Sequence, residues 1–172
     1  MDEFSDLPTL KLPENVEVVV CSTEVEIQHA CSLILEKINE KDILYVGFDT
    51  EWEFSTTQFT SRPQKTALVQ IALPSTVYLF RIFLLKQLPS SLCVILNSPQ
   101  IIKIGCGVGG DLAKLAKDFS NFKLPKKAKK ESYPFAIELG ALAKAKNVVT
   151  TGTASLAQIT AETLHQNLSK DV

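Results

Sequence analysis

The sequence is poor in the residues that build several common functional sites. It has two histidines and four cysteines, and no two cysteines stand at C-x-x-C spacing, so we expect no structural zinc site. It has no run of roughly 18 apolar residues, the length that a membrane-spanning helix requires. Its formal net charge is only -1, so the whole molecule offers no field that attracts a polyanion. Contact with nucleic acid would therefore depend on a local basic patch or on bound metal ions.

We expect no signal peptide at the amino terminus. Residues 1–15 read MDEFSDLPTLKLPEN, an acidic segment with two prolines in place of a basic region followed by an apolar one. We expect residues 1–14 to be a flexible tail and residues 15–172 to form the domain. Every cysteine lies in an apolar run, where buried, reduced thiols are usual; they are Cys21, Cys31, Cys93 and Cys106. We expect an intracellular protein without membrane association, in the nucleus or the cytoplasm, with the nucleus favoured.

Apolar sequence is what the chain has in quantity. Hydrophobic residues make up 45% of the 172 residues, enough for one domain with a sizeable core. Segments rich in β-branched and aromatic residues predict strands, and segments with helical periodicity predict helices. The predicted strands are VEVVVCS, ILYVGFDTEWEF, TALVQIAL, TVYLFRI, IIKIGCG and the start of FAIELGALAKAK. The first predicted helix starts at Thr23, which has Glu26 at the spacing of a capping box.

The order of these elements predicts the fold class. Only Pro74 and Ser75 separate TALVQIAL from TVYLFRI, so the two strands should form an antiparallel hairpin. The full order is β-α-β-β-β-α-β-α-β-α-α, in which a three-stranded antiparallel meander precedes strands that alternate with helices. This is an α/β fold whose mixed sheet, flanked by helices, resembles the ribonuclease H-like arrangement.

A glycine turn follows the strand IIKIGCG. Gly105, Gly107 and Gly110 match G-x-G-x-x-G, a pattern typical of loops that bind the phosphates of a dinucleotide. Such a loop normally follows the first strand of its sheet, and the acid expected about 20 residues later would be Glu131, inside a lysine-rich loop. We therefore expect no nucleotide cofactor, and we interpret the glycines as a tight strand-to-helix turn that leads to Asp111.

Two carboxylates lie on one predicted strand. Asp49 and Glu51 are two residues apart, so their side chains should point to the same face. The strand also holds Tyr45 and Trp52, which we expect to be buried. Two acids in such surroundings repel each other and resist desolvation, and a bound cation would relieve both effects. The alternative is that hydrogen bonds or a strand end keep the pair solvated.

Asp111 is the third acid. It stands where a strand turns into a helix, and it would approach the other two acids if the two strands are neighbours. Three converging carboxylates suit Mg²⁺ or Mn²⁺. Two such ions about 4 Å apart would clamp the attacking and leaving oxygens of a phosphodiester. The plainer reading, compatible with the first, is that Asp111 is an ordinary helix N-cap.

Five strings resemble, in order, type and spacing, the DEDD 3'-5' exonucleases, and in particular the branch with the Werner helicase exonuclease domain: YVGFDTEWEF, KTALVQIALPSTVYLF, IIKIGCGVGGDLAKLAKDF, AIELGALAK and SLAQITAETLHQNLSKD. The resemblance covers residues 16–172. It implies a ribonuclease H-like fold, two Mg²⁺ or Mn²⁺ ions, and removal of nucleotides from a single-stranded 3' end of DNA or RNA. It also implies that Asp49 bridges both metals, that Glu51 holds one of them and helps to place the terminal nucleotide, and that Asp111 holds the second.

The third motif of that family, Tyr-x-x-x-Asp on a later helix, has no match here. No tyrosine stands in that context, and we do not accept Asp171 as the missing ligand because it lies one residue from the terminus. We expect a domain that is truncated before the last motif and its helix, and that is weak or inactive by itself. An apolar sheet face left exposed could bind a protein partner. The alternative function is a non-catalytic nucleic-acid-binding or protein-interaction module derived from an exonuclease.

Other residues are secondary candidates. Trp52 and Lys103 are candidates for substrate binding, Trp52 by stacking a base, although core packing is the commoner role of such a tryptophan. Gln70 matches a family position, and we interpret it as a packing residue. Residues 123–131 hold five lysines, which could contact phosphates or act as a nuclear-import signal, while a solvated loop is the ordinary interpretation.

Overall fold

The computed structural model describes residues 4–38, 42–52, 54–57, 60–63, 65–125 and 133–168. In these ranges the chain forms eight strands and five helices. The strands are β1 (Glu17–Cys21), β2 (Leu44–Glu51), β3 (Phe54–Thr57), β4 (Thr60–Pro63), β5 (Leu68–Ala72), β6 (Thr76–Arg81), β7 (Ile101–Gly105) and β8 (Ala136–Glu138). The helices are α1 (Glu24–Leu35), α2 (Ser90–Asn97), α3 (Val108–Asp118), α4 (Leu139–Ala145) and α5 (Leu156–Leu164).

Six of the strands form one mixed sheet in the order β1-β6-β5-β2-β7-β8. Strands β2, β5 and β6 are an antiparallel meander, and the predicted hairpin is confirmed, with Leu68 of β5 opposite Arg81 of β6. Strand β1 pairs in parallel with β6, while β7 and β8 continue in parallel from β2. The predicted α/β class with an antiparallel meander followed by parallel strands is confirmed.

The second predicted strand is shorter than expected. Strand β2 ends at Glu51, and the residues that follow form a separate two-stranded antiparallel sheet of β3 and β4. This pair of strands was not predicted from the sequence. Its strands read FSTT and TSRP, so there is no alternation of apolar and polar residues that would indicate a strand.

One face of the large sheet is buried beneath helices. The core joins the inward side chains of β1, β2, β5, β6 and β7 to apolar residues of α1, α2 and α3. Along β2, Val46, Phe48 and Thr50 are buried while the residues between them are exposed. Tyr45 is 56% exposed, so the expectation that it is buried was wrong. Strand alternation places it on the uncovered face.

Local sequence explains the ends of the helices that carry clear signals. The capping box predicted at α1 is confirmed, since the Thr23 hydroxyl accepts from the Glu26 amide and the Glu26 carboxylate accepts from the Thr23 amide. Hydrogen bonds from the amides of Ser22 and Thr23 to its carboxylate lower the pKa of Glu26. Helices α4 and α5 pack together around a smaller cluster that includes Ala143 and Ile159. None of the helices in the described ranges combines the length and apolar character needed to span a bilayer.

Part of the expected tail contacts the domain. The amide of Leu10 donates to the Asn167 carbonyl at 2.7 Å, and the Asn167 amide donates to the Pro8 carbonyl at 2.8 Å. These bonds place residues 8–10 beside the end of the described chain, and the domain boundary at residue 15 stays a prediction.

Cys21 and Cys31 are buried free thiols as expected, but Cys106 is exposed because it lies in the turn after β7.

The contact between β7 and β2 leaves no space for a side chain at Gly105. A Cβ built there would lie 2.3 Å from the carbonyl oxygen of Phe48 and 3.1 Å from Val108. A Cβ built at Gly110, in the first turns of α3, meets nothing within 4 Å. A side chain is therefore sterically excluded at position 105, at the end of β7, and is sterically allowed at position 110.

Lys103 is a core residue of β7. Its side chain is completely buried, and its ammonium donates to the carbonyls of Ile95, Ser98 and Ile101 at 3.1, 3.4 and 2.7 Å. It also lies 4.3 Å from the centre of the Phe135 ring. A cation that bonds the carbonyls at the end of α2 stabilises that helix terminus. The prediction that Lys103 binds substrate was wrong, because its amino group lies inside the core, hydrogen-bonded to backbone carbonyls.

We predict that Gly105→Ala lowers the free energy of unfolding by about 2 kcal/mol or more, because the added methyl overlaps a backbone carbonyl that cannot move without shifting β2. The matched Gly110→Ala should be neutral or stabilising by about 0.5–1 kcal/mol, the usual gain in a helix. Urea unfolding followed by circular dichroism measures both. Equal stability of the two variants would contradict the steric argument.

We predict that Lys103 makes stability rise with pH above neutrality. Burial lowers the pKa of Lys103 to about 7, whereas an unfolded lysine has a pKa of about 10.4. Between these values the unfolded chain holds the extra proton, so the free energy of unfolding increases with pH, by at most about 1.4 kcal/mol per unit.

The comparison is with Lys103→Met, which has no titrating group at this position. The difference in unfolding free energy, wild type minus variant, should rise by about 1–2 kcal/mol between about pH 6.5 and about pH 8.5. Urea unfolding at several pH values measures it, and contributions of all other groups cancel. A difference that stays constant would show that Lys103 keeps its ordinary protonation.

Candidate active site

Asp49 and Glu51 lie at the carboxyl end of β2, on its uncovered face. Both side chains are exposed, alternating with buried Phe48 and Thr50. Partial desolvation raises the pKa of Asp49, and desolvation together with the charge of Asp49 raises the pKa of Glu51. The predicted common face is therefore observed, and the pair carries the mutual repulsion that its spacing implies.

Gln70 belongs to this pair rather than to the core. It stands opposite Asp49 in the register of β5 and β2, and its side-chain amide donates to the Asp49 carboxylate in a long hydrogen bond of 3.5 Å. The interpretation of Gln70 as a packing residue was wrong. Strand pairing, which the sequence does not reveal directly, places its amide beside the acids.

Asp111 approaches the pair from the first turn of α3. Its side chain is only 7% exposed, and its Oδ2 atom is buried without a hydrogen-bond partner among the described residues. Burial raises the pKa of Asp111 to about 6, and the charges of Asp49, Glu138 and Glu51 add to the effect, while the nearby Thr50 hydroxyl opposes it. The N-cap of α3 is Gly107, so the interpretation of Asp111 as an N-cap was wrong.

The three acids share one electrostatic environment without forming a closed cage. The charges of Asp49 and Glu51 both act on Asp111, but within the described ranges no three Asp, Glu, His or Cys side chains are close enough to enclose a metal ion by themselves. The donor set consists of carboxylate oxygens, one of which is buried and has no partner within the described ranges. That chemistry fits a hard divalent cation which keeps part of its water shell, as Mg²⁺ usually does.

The glycine turn holds a carboxylate of this chain. Glu138, at the end of β8, accepts hydrogen bonds from the amides of Gly107 at 2.8 Å and Gly109 at 2.9 Å. These amides stand at the start of α3, where a dinucleotide loop would hold phosphate. The turn therefore serves the protein's own structure, in agreement with the interpretation that favoured a tight turn. Glu138 was not predicted from the sequence, where an acid at the end of a predicted strand was the available signal.

The remaining candidate substrate-binding residues, Trp52 and Lys103, differ in how deeply they are buried. Trp52 is half-buried directly after β2, its ring nitrogen is buried without a hydrogen-bond partner among the described residues, and the Lys114 ammonium lies 5.2 Å from the centre of its ring. Lys103 is in the core, away from solvent. Of the lysine-rich segment, residues 126–131 lie outside the described residues, as does Asp171.

A cavity of about 610 Å³ opens on the same uncovered face. Its lining includes Val20, Leu68, Leu79 and Arg81. In the sheet register Leu79 pairs with Gln70, and Leu68 pairs with Glu51. The cavity therefore begins one strand away from the acids, and an apolar surface with one cation adjoins the acidic pair.

Comparison with known proteins gives consistent results. Residues 19–172 match a family model described as 3'-5' exonuclease. A 3'-5' exonuclease of Drosophila ananassae is 33% identical over 81 residues, which are 46% of this chain and 22% of that protein. The bifunctional 3'-5' exonuclease/ATP-dependent helicase WRN of Mus musculus is 32% identical over 117 residues, 66% of this chain and 8% of that protein. The chain thus spans less than half the length of these curated relatives.

Solved structures agree with the fold. A crystal structure of the EXD2 exonuclease domain superimposes with a TM-score of 0.59 at 24% identity, over 91% of this chain and 74% of that one. Another, of EXD2 soaked in Mg and GMP, gives a TM-score of 0.58, also at 24% identity, over 89% and 72% of the two chains. The family model covers nearly the whole chain, and the motifs around the acids predicted the same family: this chain belongs to the 3'-5' exonuclease domain family, a family of phosphodiester hydrolases.

Proposed function

We propose that this chain is a metal-dependent exonuclease domain that removes nucleotides from the 3' end of DNA or RNA, with Asp49, Glu51 and Asp111 as its metal-binding acids. The observation that carries the proposal is the buried carboxylate oxygen of Asp111, which has no hydrogen-bond partner in the part of the chain that the structure describes and lies beside two further acids. Unpaired buried charge is costly, and it is retained in proteins chiefly where a ligand or ion uses it.

The arrangement of the acids supports a role for each. The charges of Asp49 and Glu51 both act on Asp111, and the charge of Asp49 also acts on Glu51, so the three acids are close enough to share bound cations. The resemblance to the DEDD exonucleases implies that Asp49 would contact both ions. Glu51 would hold one ion and Asp111 the other. Mg²⁺ or Mn²⁺ would supply positive charge for the phosphodiester that undergoes hydrolysis. That solved EXD2 domains were soaked in Mg and Mn supports this choice of ions.

The single-stranded 3' end would reach the acids from the uncovered face. Trp52 adjoins Glu51, but its ring nitrogen is buried and the centre of its ring lies 5.2 Å from the Lys114 ammonium of α3. The surface open to the substrate is therefore the one that Asp49, Glu51 and the cavity share. Arg81 lies two strands from Glu51, about 10 Å at the usual strand spacing. An apolar surface beside one cation suits a nucleotide better than a free phosphate, because both the base and the backbone find a contact.

The chain supplies only part of the family's catalytic set. After Asp111 its one tyrosine is Tyr133, and the residue four positions later is Ile137, so no Tyr-x-x-x-Asp follows. Loss of a group that handles a proton typically slows catalysis roughly 10²–10⁴-fold. We propose that the 172-residue chain by itself hydrolyses its substrate slowly.

A non-catalytic binding module is the second candidate function. It is favoured by one observation, that no three described acids enclose a metal ion by themselves. The predicted protein partner also stays a prediction; Val18, Val20 and Leu84 are exposed on or beside the uncovered face. The two candidates differ in whether metal-dependent hydrolysis depends on the acids.

We predict that Asp49→Ala abolishes metal-dependent degradation, with a loss of at least roughly 100-fold, because the proposal makes Asp49 a ligand of both ions. The assay follows a 5'-labelled single strand of DNA or RNA with a free 3' end, in Mg²⁺ or Mn²⁺ and in chelator. Glu24→Gln, which removes an exposed carboxylate on α1, is the matched control and should degrade the strand at the wild-type rate.

Two outcomes of this assay decide between the candidate functions. Degradation by Asp49→Ala as fast as by the wild type would show that hydrolysis does not depend on these acids. Binding of the strand by the wild type, with no metal-dependent shortening at any enzyme concentration, would favour the non-catalytic module.

We predict that Asp111→Asn stabilises the metal-free chain and removes its response to metal. At pH 7.5 the buried Asp111 carries a charge that its surroundings disfavour, since its pKa is raised to about 6. The neutral amide of similar size should raise the free energy of unfolding in chelator by about 1–3 kcal/mol. Mn²⁺ should raise the melting temperature of the wild type and leave that of the variant nearly unchanged. A variant that is less stable in chelator would contradict this account.

A further inference from the structure

Helix α3, which carries Asp111, lacks a capping side chain of its own. Its N-cap is Gly107, in the left-handed region at φ 85°, and no side chain within the helix caps it. The first four amides of a helix have no partner inside the helix. The amides of Gly107 and Gly109 are instead satisfied by both oxygens of the Glu138 carboxylate, at 2.8 and 2.9 Å.

Glu138 is itself held firmly in the sheet. It is the last residue of β8, where it pairs in register with Gly105 of β7. It also stands at the N-cap of α4, but its side chain makes no capping bond there. Its carboxylate thus serves a helix that begins 30 residues earlier, at Val108. A negative charge at this position also favours the amino end of α3.

A short chain of bonds connects Glu138 to Asp111. The Gly107 amide donates to Glu138, and the Gly107 carbonyl accepts from the Asp111 amide at 3.1 Å. On the other side Gly105 is pressed against the Phe48 carbonyl of β2. The first turn of α3 is therefore fixed between β2 and β8, and the backbone of Asp111 can move away from Asp49 only if one of these contacts breaks.

We propose that Glu138 is a positioning residue for the metal site: its carboxylate clamps the Gly107–Gly109 turn and thereby holds Asp111 beside Asp49. The proposal rests on the proposed function, since it takes Asp111 as a metal ligand. Both oxygens of the Glu138 carboxylate accept from backbone amides, so Glu138 would act through Asp111 and not as a ligand of the ion. A hydrogen-bonded residue behind a metal ligand typically changes metal affinity 10–100-fold when it is replaced, so roughly a tenfold effect is expected.

The decisive variant is Glu138→Asp, which keeps the charge but shortens the side chain by one methylene, so that it cannot reach both amides. Glu138→Gln is the complement, with nearly the same length, no charge and only one accepting oxygen. The pair separates a clamp from simple electrostatic attraction of the cation, because the charge of Glu138 also acts on Asp111. Glu24→Gln is the control for loss of a distant carboxylate.

Binding of Mn²⁺ alone is measured by calorimetry at a temperature where circular dichroism shows every variant folded. Both Glu138 variants should raise the Mn²⁺ dissociation constant about tenfold, and Glu24→Gln should leave it unchanged. In ¹⁵N-labelled protein, the Gly107 and Gly109 amide protons should exchange with solvent faster in both Glu138 variants. A merely structural role would lower the melting temperature without changing the affinity of the folded chain.

Three results would overturn the proposal. The first is wild-type Mn²⁺ affinity in Glu138→Asp, which would leave only the charge of Glu138 as relevant. The second is weakened affinity with unchanged protection of the two glycine amides. The third is wild-type Mn²⁺ affinity in Asp49→Ala, which would remove the proposed metal site itself. Weak Mn²⁺ binding by Asp49→Ala together with wild-type Mn²⁺ binding by Glu138→Asp would refute the clamp and leave the proposed metal site standing.

Discussion

The close parallel contact between β2 and β7 is the constraint on which the rest of the structure depends. It brings the end of β7 so near to Phe48 that only glycine fits at position 105. Helix α3 starts immediately after this contact, so the contact restricts the direction in which its first turn can run. The position of Asp111 relative to Asp49 and Glu51 follows from that approach of two backbones, and not from any attraction between the acids.

The acids themselves oppose this arrangement. Burial and mutual repulsion raise the pKa values of Asp49, Glu51 and Asp111, which means that the folded, metal-free chain resists their ionisation. The surrounding structure must therefore hold them together from outside. Steric exclusion at Gly105 and the two hydrogen bonds to Glu138 hold the turn in place without involving the carboxylates of the three site acids. Stability given up at a site of this kind is the usual cost of function.

The parts of this arrangement that were predictable from sequence are those in which neighbouring residues determine the outcome. Alternation along β2 is sufficient to place Asp49 and Glu51 on one face, and a two-residue connection is sufficient to predict the β5–β6 hairpin. Contacts between distant segments were not predictable in this way. The bond from Gln70 to Asp49 depends on strand register, and the role of Glu138 depends on the pairing of β8 with β7. Lys103 was misassigned for the same reason, because its acceptors come from α2 and the turn that follows it.

The uncovered face of the sheet links this electrostatic problem to the substrate. Asp111 reaches the site from the side of the sheet that carries the helices, whereas Asp49 and Glu51 project from the open side, where an apolar cavity with Arg81 adjoins them. A polyanion that approaches the open side meets two exposed carboxylates first, and a chain of net charge -1 offers no long-range attraction to offset their repulsion. Under the proposed function a divalent cation must therefore occupy the acids before nucleic acid can bind productively. The same positive charge that hydrolysis requires would then also admit the substrate.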